Sequence, residues 1–133
     1  MRTASLVTLL LTLVGGIAHA TEYLQTLKEG SWVCSTPEAY DVAIAEERNW
    51  QGANLEELKR DLLERRLCMY VDAEYVEKML VPFATVVERQ GTKVKVTFTI
   101  EFRKRLEILH RQITRITYAG WTDAANLRDK EIL

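Results

Sequence analysis

The residues of this chain whose types could do chemistry are two cysteines, neighbouring acids, a run of cations and one histidine beyond residue 20. Cys34 and Cys68 lie too far apart for the Cys-x-x-Cys spacing of a redox pair. A zinc centre wants four ligands, and His110 is the only imidazole available after residue 20. An even pair of cysteines in an exported chain points instead to one disulfide. Closing a loop of this length contributes roughly 4 kcal/mol in the chain-entropy treatment. Glu46-Glu47 and Glu56-Glu57 have the acid content of a hydrolase pair, but adjacent acids on exposed helix faces are ordinarily solvated. His110 has neither a nucleophile nor an acid partner at a suitable spacing. These residues assemble no catalytic constellation and no cofactor or metal site, so an enzyme is not expected.

The cations are Lys93, Lys95, Arg103, Lys104, Arg105, Arg111 and Arg115, with Trp121 as a candidate platform beside them. Residues 81–133 hold 10 Lys/Arg against 6 Asp/Glu, a net of +4, whereas residues 21–80 hold 7 against 13, a net of −6. Two readings of this asymmetry stand side by side. The basic strip could face an acidic partner protein or an anionic cell-wall component. Alternatively, the two parts of the chain neutralise each other across their own interface. Trp121 has the same two readings, ligand platform or packing residue. Export and a net charge of −1 disfavour nucleic acid.

The elements that must position these residues follow from the chain in order. Residues 1–20 read as a cleavable signal peptide: Arg2, an apolar run from Leu6 to Val14, Gly15-Gly16, then Ala18-His19-Ala20 with small residues where a peptidase reads. The apolar run is too short to span a bilayer stably. Cleavage after Ala20 would leave a single periplasmic or secreted domain, 21–133, that does not span the membrane. Its front, 21–67, reads as mainly helical. Ser35-Thr36-Pro37-Glu38 starts one helix that runs to about Arg48, with Ala39, Val42, Ala43 and Glu46 along one face. Asn54 caps a second, with a stripe of Leu55, Leu58, Leu62 and Leu63. The disulfide would join the entrance of this helical hairpin to its exit.

Residues 68–127 read as the β part. Cys68-Met69-Tyr70-Val71 is a first strand, and Asp72 caps a loop or short helix after it. Gly91 supplies the turn into a central strand where Val94, Val96, Phe98, Ile100 and Phe102 alternate with polar residues. Residues 103–112 suit either a long hairpin or a short helix, because Phe102, Leu106, Leu109 and Ile113 also fall at helical spacing. Residues 128–133 read as a tail.

The glycine turn, the strands, then Gly120-Trp121-Thr122 followed by Ala124-Ala125-Asn126-Leu127, resemble bacterial Src-homology-3-type (SH3-like) barrels over roughly residues 68–127. The link of residues 103–117 is longer than that family's usual one. The expected fold class is therefore α+β: an N-terminal helical hairpin tied by one disulfide, then a small antiparallel SH3-like β-barrel or strongly bent sheet. The resemblance implies a binding module or adaptor that holds peptides, cell-wall fragments or partner proteins beside the Gly-Trp strand. A compact, disulfide-tied domain with a charged face also suits an exported immunity or inhibitor protein that blocks a toxin or hydrolase.

Overall fold

The computed structural model describes residues 23–52, 54–105 and 111–131. The signal-peptide segment, the cleavage point after Ala20 and His110 lie outside the described residues. The expected architecture is not the one adopted. The described residues open with strands, not with a helical hairpin, and are mostly β. Strands β1 (Tyr23–Leu27) and β2 (Ser31–Cys34) precede helices α1 (Pro37–Arg48) and α2 (Leu55–Glu64). Strand β3 (Cys68–Val71), helix α3 (Ala73–Glu77), β4 (Thr85–Gln90), β5 (Lys93–Arg105) and β6 (Arg111–Asp123) follow. A 3₁₀ turn (Ala124–Asn126) leads into β7 (Leu127–Glu131), where a tail was expected.

The strands form two antiparallel sheets, and neither is a closed barrel: a ribbon of β1 and β7, and a five-stranded sheet in the order β3-β2-β6-β5-β4. Within the five-stranded sheet β2 is covered on both faces, which explains why it escaped the pattern reading. All four of its residues are buried, so it carries no alternation of polar and apolar positions. Val33 points into a core with Val71, Val94, Val96, Phe98, Ile100, Met79 and Leu27. Trp32 and Cys34 point the other way, into a second core with Ala39, Tyr40, Ala43, Leu58, Leu62 and Cys68. The first core is closed by the β1–β7 ribbon and the segment around Phe83; the second is roofed by α1 and α2.

The helices begin where their capping residues place them. Thr36 accepts from Ala39 N–H, Asn54 from Glu56 N–H and Asp72 from Tyr75 N–H, each satisfying a donor that the first turn leaves free. Their buried faces differ slightly from the reading: Tyr40 is buried and Val42 exposed on α1, and Leu63 is 60% exposed on α2. Cys34 and Cys68 stand directly opposite each other on β2 and β3 and are disulfide-bonded, with Cα atoms 4.0 Å apart. The bond closes the loop that carries both helices. No helix among the described residues is long and apolar enough to cross a membrane.

Two glycines set the course of the central strands. Gly91, at φ +61°, makes the turn from β4 to β5. Gly120 lies where β2 meets β6: a Cβ there would stand 2.7 Å from Val33 Cγ1 and 2.8 Å from the Cys34 carbonyl oxygen.

Candidate functional site

The β5–β6 hairpin is the longest strand pairing among the described residues, and its register runs from Lys93 opposite Asp123 to Arg105 opposite Arg111. The hairpin alternative is therefore the one realised across 103–112, apart from residues 106–110, which are not described. Side chains alternate between faces along a strand and match across a pair. This arithmetic puts Lys93, Lys95, Arg103, Arg105, Arg111, Arg115 and Trp121 on one face of the hairpin. Lys104 lies on the other. Seven of the eight residues expected to form a site thus share a face, but two different environments divide them.

At the helix end the face is covered. Trp121 is 7% exposed, opposite Lys95 on one side and Cys34 on the other, and acts as a packing residue. Lys93 is only 17% exposed; its ammonium lies 3.2 Å from Asp41 on α1 and 5.2 Å from the Tyr40 ring centroid. Here the internal-neutralisation reading describes the geometry. Tyr40 is held further by Asn126, whose Nδ2 donates to its hydroxyl at 3.0 Å and to Thr122 Oγ1 at 2.8 Å. Burial raises the Tyr40 phenol above its ordinary value.

At the other end the hairpin becomes an arm. Glu101 N–H donates to the Lys78 carbonyl at 3.1 Å, and beyond that bond β5 pairs only with β6 among the described residues. Residues 102–105 and 111–114 extend roughly 13 Å past it, at 3.3 Å per residue. Phe102 supports the root through an edge contact with Tyr75, ring centroids 5.8 Å apart. Arg103, Lys104, Arg105, Arg111 and Arg115 are all exposed. Glu101 sits between two of them: Arg103 donates to its Oε1 at 2.8 Å and Arg115 Nε to its Oε2 at 3.0 Å. Those hydrogen bonds, Arg103 first, hold the Glu101 carboxyl below its usual range. Residues 101–115 together hold five Lys/Arg against Glu101 and Glu107, a net of +3. Ile113, 54% exposed, stands among them.

A second concavity adjoins the hairpin and was not anticipated. A cavity of about 440 Å³ lies between α2, β3, α3 and β6, walled by Leu63, Met69, Tyr70, Tyr75 and Tyr118, with Glu56, Lys59, Arg60 and Asp72 at its rim. Tyr118 stacks on Phe98 and Tyr75, at 5.5 and 6.2 Å between centroids, and burial raises its phenol. Lys59 lies 4.1 Å over the Tyr70 ring and pairs with Glu56. A shallower hollow shares Leu63 and Met69 with this cavity and reaches the disulfide, Arg66 and Ala119. Phenols, a thioether and apolar carbons suit stacking and side-chain burial. The tyrosines come from three separate elements, so no local spacing could have gathered them. Among the described residues, no group of three or more His, Cys, Asp and Glu is placed to hold a metal ion.

No protein-family model matches the sequence, and neither the curated proteins nor the solved structures contain a match.

Proposed function

We propose that this chain is a non-enzymatic binding protein of the bacterial envelope, exported with cleavage after Ala20 to the periplasm or beyond. On this reading it holds an acidic envelope protein or an anionic cell-wall component on the basic arm of the β5–β6 hairpin. The observation that carries the reading is the arm itself: Arg103, Lys104, Arg111 and Arg115 are exposed on a hairpin that runs past its last described bond to a neighbouring segment, within residues 101–115 of net charge +3. Clustered cations on an exposed projection attract anions over about 8–10 Å at ordinary salt, and this attraction raises association rates. Export is supported by the disulfide, which persists in oxidising compartments.

The test uses residues 21–133 with the disulfide intact, passed over immobilised polyglutamate and over polylysine at low and high salt. Retention on polyglutamate alone, lost at high salt, is expected. Equal passage through both columns at low salt would remove the basis for an acidic partner.

A further inference from the structure

We propose that β6 offers a docking edge along residues 113–119, where an extended acidic segment of a partner protein adds to the sheet as a strand in line with β2. This rests on the acidic-partner reading above and gives that partner a shape and a register.

The direction of the backbone groups comes from three hydrogen bonds. Leu80 N–H donates to the Thr99 carbonyl at 2.8 Å, and Glu101 N–H donates to the Lys78 carbonyl at 3.1 Å. Odd-numbered residues of this part of β5 therefore aim their backbone away from β6, and even-numbered ones aim it toward β6. Ala124 N–H, which donates to the Thr92 carbonyl at 2.8 Å, agrees. Through the pairing of Ile100 with Ile116 and of Phe98 with Tyr118, the N–H and C=O groups of Ile113, Arg115, Thr117 and Ala119 point away from β5. They point to the side that β2 occupies one step further on, where Cys34 meets Trp121. There β2 ends and the chain turns into α1. Among the described residues, no backbone group pairs with those four N–H and four C=O groups.

Proteins ordinarily protect such edges with bulges, prolines or inward charges. The outer edge strand β4 has that protection, with a register shift between Val86 and Glu88. Residues 113–119 read Ile-Thr-Arg-Ile-Thr-Tyr-Ala, rich in β-branched residues, without proline and paired to β5 without a register shift.

The surroundings choose the occupant. Residues of an incoming strand that lie opposite Arg115 and Ile113 share the outer face with Arg103 and Arg111. Their alternates turn toward Tyr118 and the cavity of about 440 Å³ behind it. Arg60, at the rim of this cavity, and Arg66, beside the adjoining hollow, form no ion pair among the described residues. A segment alternating acidic and apolar residues satisfies both faces, with main-chain bonds supplying affinity and side-chain pockets supplying register. A second copy of this chain would instead bring two basic arms together.

The geometry also states which backbone groups of the occupant matter. Its acidic residues, opposite odd-numbered β6 positions, are the ones whose N–H groups face β6. The experiment uses three blocked, fluorescent octapeptides of alternating Glu and Val: unmodified, N-methylated at every Glu, and N-methylated at every Val. Charge and side chains are identical in all three. Binding to residues 21–133 is read by anisotropy. The Val-methylated peptide is expected to bind like the unmodified one, and the Glu-methylated peptide at least about tenfold more weakly, since several main-chain bonds are lost. The variant Thr117→Pro removes one outward donor and leaves the β5 ladder intact; it should weaken the unmodified peptide and spare the melting temperature. Equal binding of the two methylated isomers to the unaltered chain overturns the edge while the basic-arm reading survives. Failure of all three peptides to bind at low salt overturns both. Self-association abolished by Thr117→Pro would give the edge to a second copy and overturn the acidic occupant.

Discussion

Lys93 and Arg115 are cations on one face of one hairpin, and they live in different surroundings. Lys93 is 17% exposed, roofed by α1, paired with Asp41 and set over Tyr40. Arg115 is 66% exposed, on the stretch of β6 that no helix covers, and spends one edge of its guanidinium on Glu101. Both carry a positive charge at the same strand parity; what separates their surroundings is the position of α1. A lysine under a helix is an internal counter-ion, whereas cations on an unroofed arm stay in solvent, where salt screens them. The basic strip is therefore two structures, a structural end and the end that the proposed function makes the interacting one.

The comparison presupposes that the hairpin has a buried face. Val96→Asp or Phe98→Asp places an unpaired charge among residues that are 0% and 2% exposed, and should cost at least ~4 kcal/mol and unfold the domain. Thr97→Asp, on the opposite face, should change the melting curve little. Comparable losses at all three positions would show that the strand is buried on both sides at this point.

Next in size is the disulfide, which anchors the helical roof that defines the structural end. Cys34→Ser with Cys68→Ser should lower stability by roughly 2–5 kcal/mol, measured by chemical denaturation. Intact mass should rise by two hydrogens on reduction of the native protein. An unchanged mass would mean that the bond does not form.

The part of the molecule legible in its sequence is the part whose signals are local. Five alternating apolar residues announced β5, Gly91 its turn, and Ser35-Thr36-Pro37, Asn54 and Asp72 the starts of the helices, although the first cap is Thr36 and not Ser35. The strands that were missed have signals only in three dimensions. Ser31–Cys34 is buried on both faces and so does not alternate. Leu127–Glu131 is mostly charged and becomes a strand by pairing with Tyr23–Leu27, about a hundred residues away. Trp121 could be read either way from its Gly-Trp-Thr setting. Its burial follows from β2 crossing beside Gly120, which no spacing in the sequence encodes. The shared face of the cations was legible as parity; their division by α1 was not.

Smaller effects sharpen the contrast at single groups. Lys93→Glu sets a second carboxylate against Asp41 and should cost about 1 kcal/mol, because Asp41 is largely exposed. Loss of partner binding with an unaltered melting curve would place Lys93 at the interacting end instead. The arm has its own pH signature. Glu101 is held below the usual carboxylate value of about 4.3 by Arg103 and Arg115. Its contribution is therefore fully present above that value and fades as pH falls through its own lower one. In a carboxyl NMR titration Glu101 should be among the last side chains to protonate; an ordinary midpoint would mean that the two arginines leave it alone.

The most direct test of the central claim is one binding measurement on two charge-reversed proteins. Lys104→Glu combined with Arg111→Glu should abolish salt-sensitive binding to polyglutamate without lowering the melting temperature. Lys93→Glu should lower the melting temperature and leave that binding in place. The reverse pattern, in which binding follows Lys93 and is indifferent to the arm, would contradict the account.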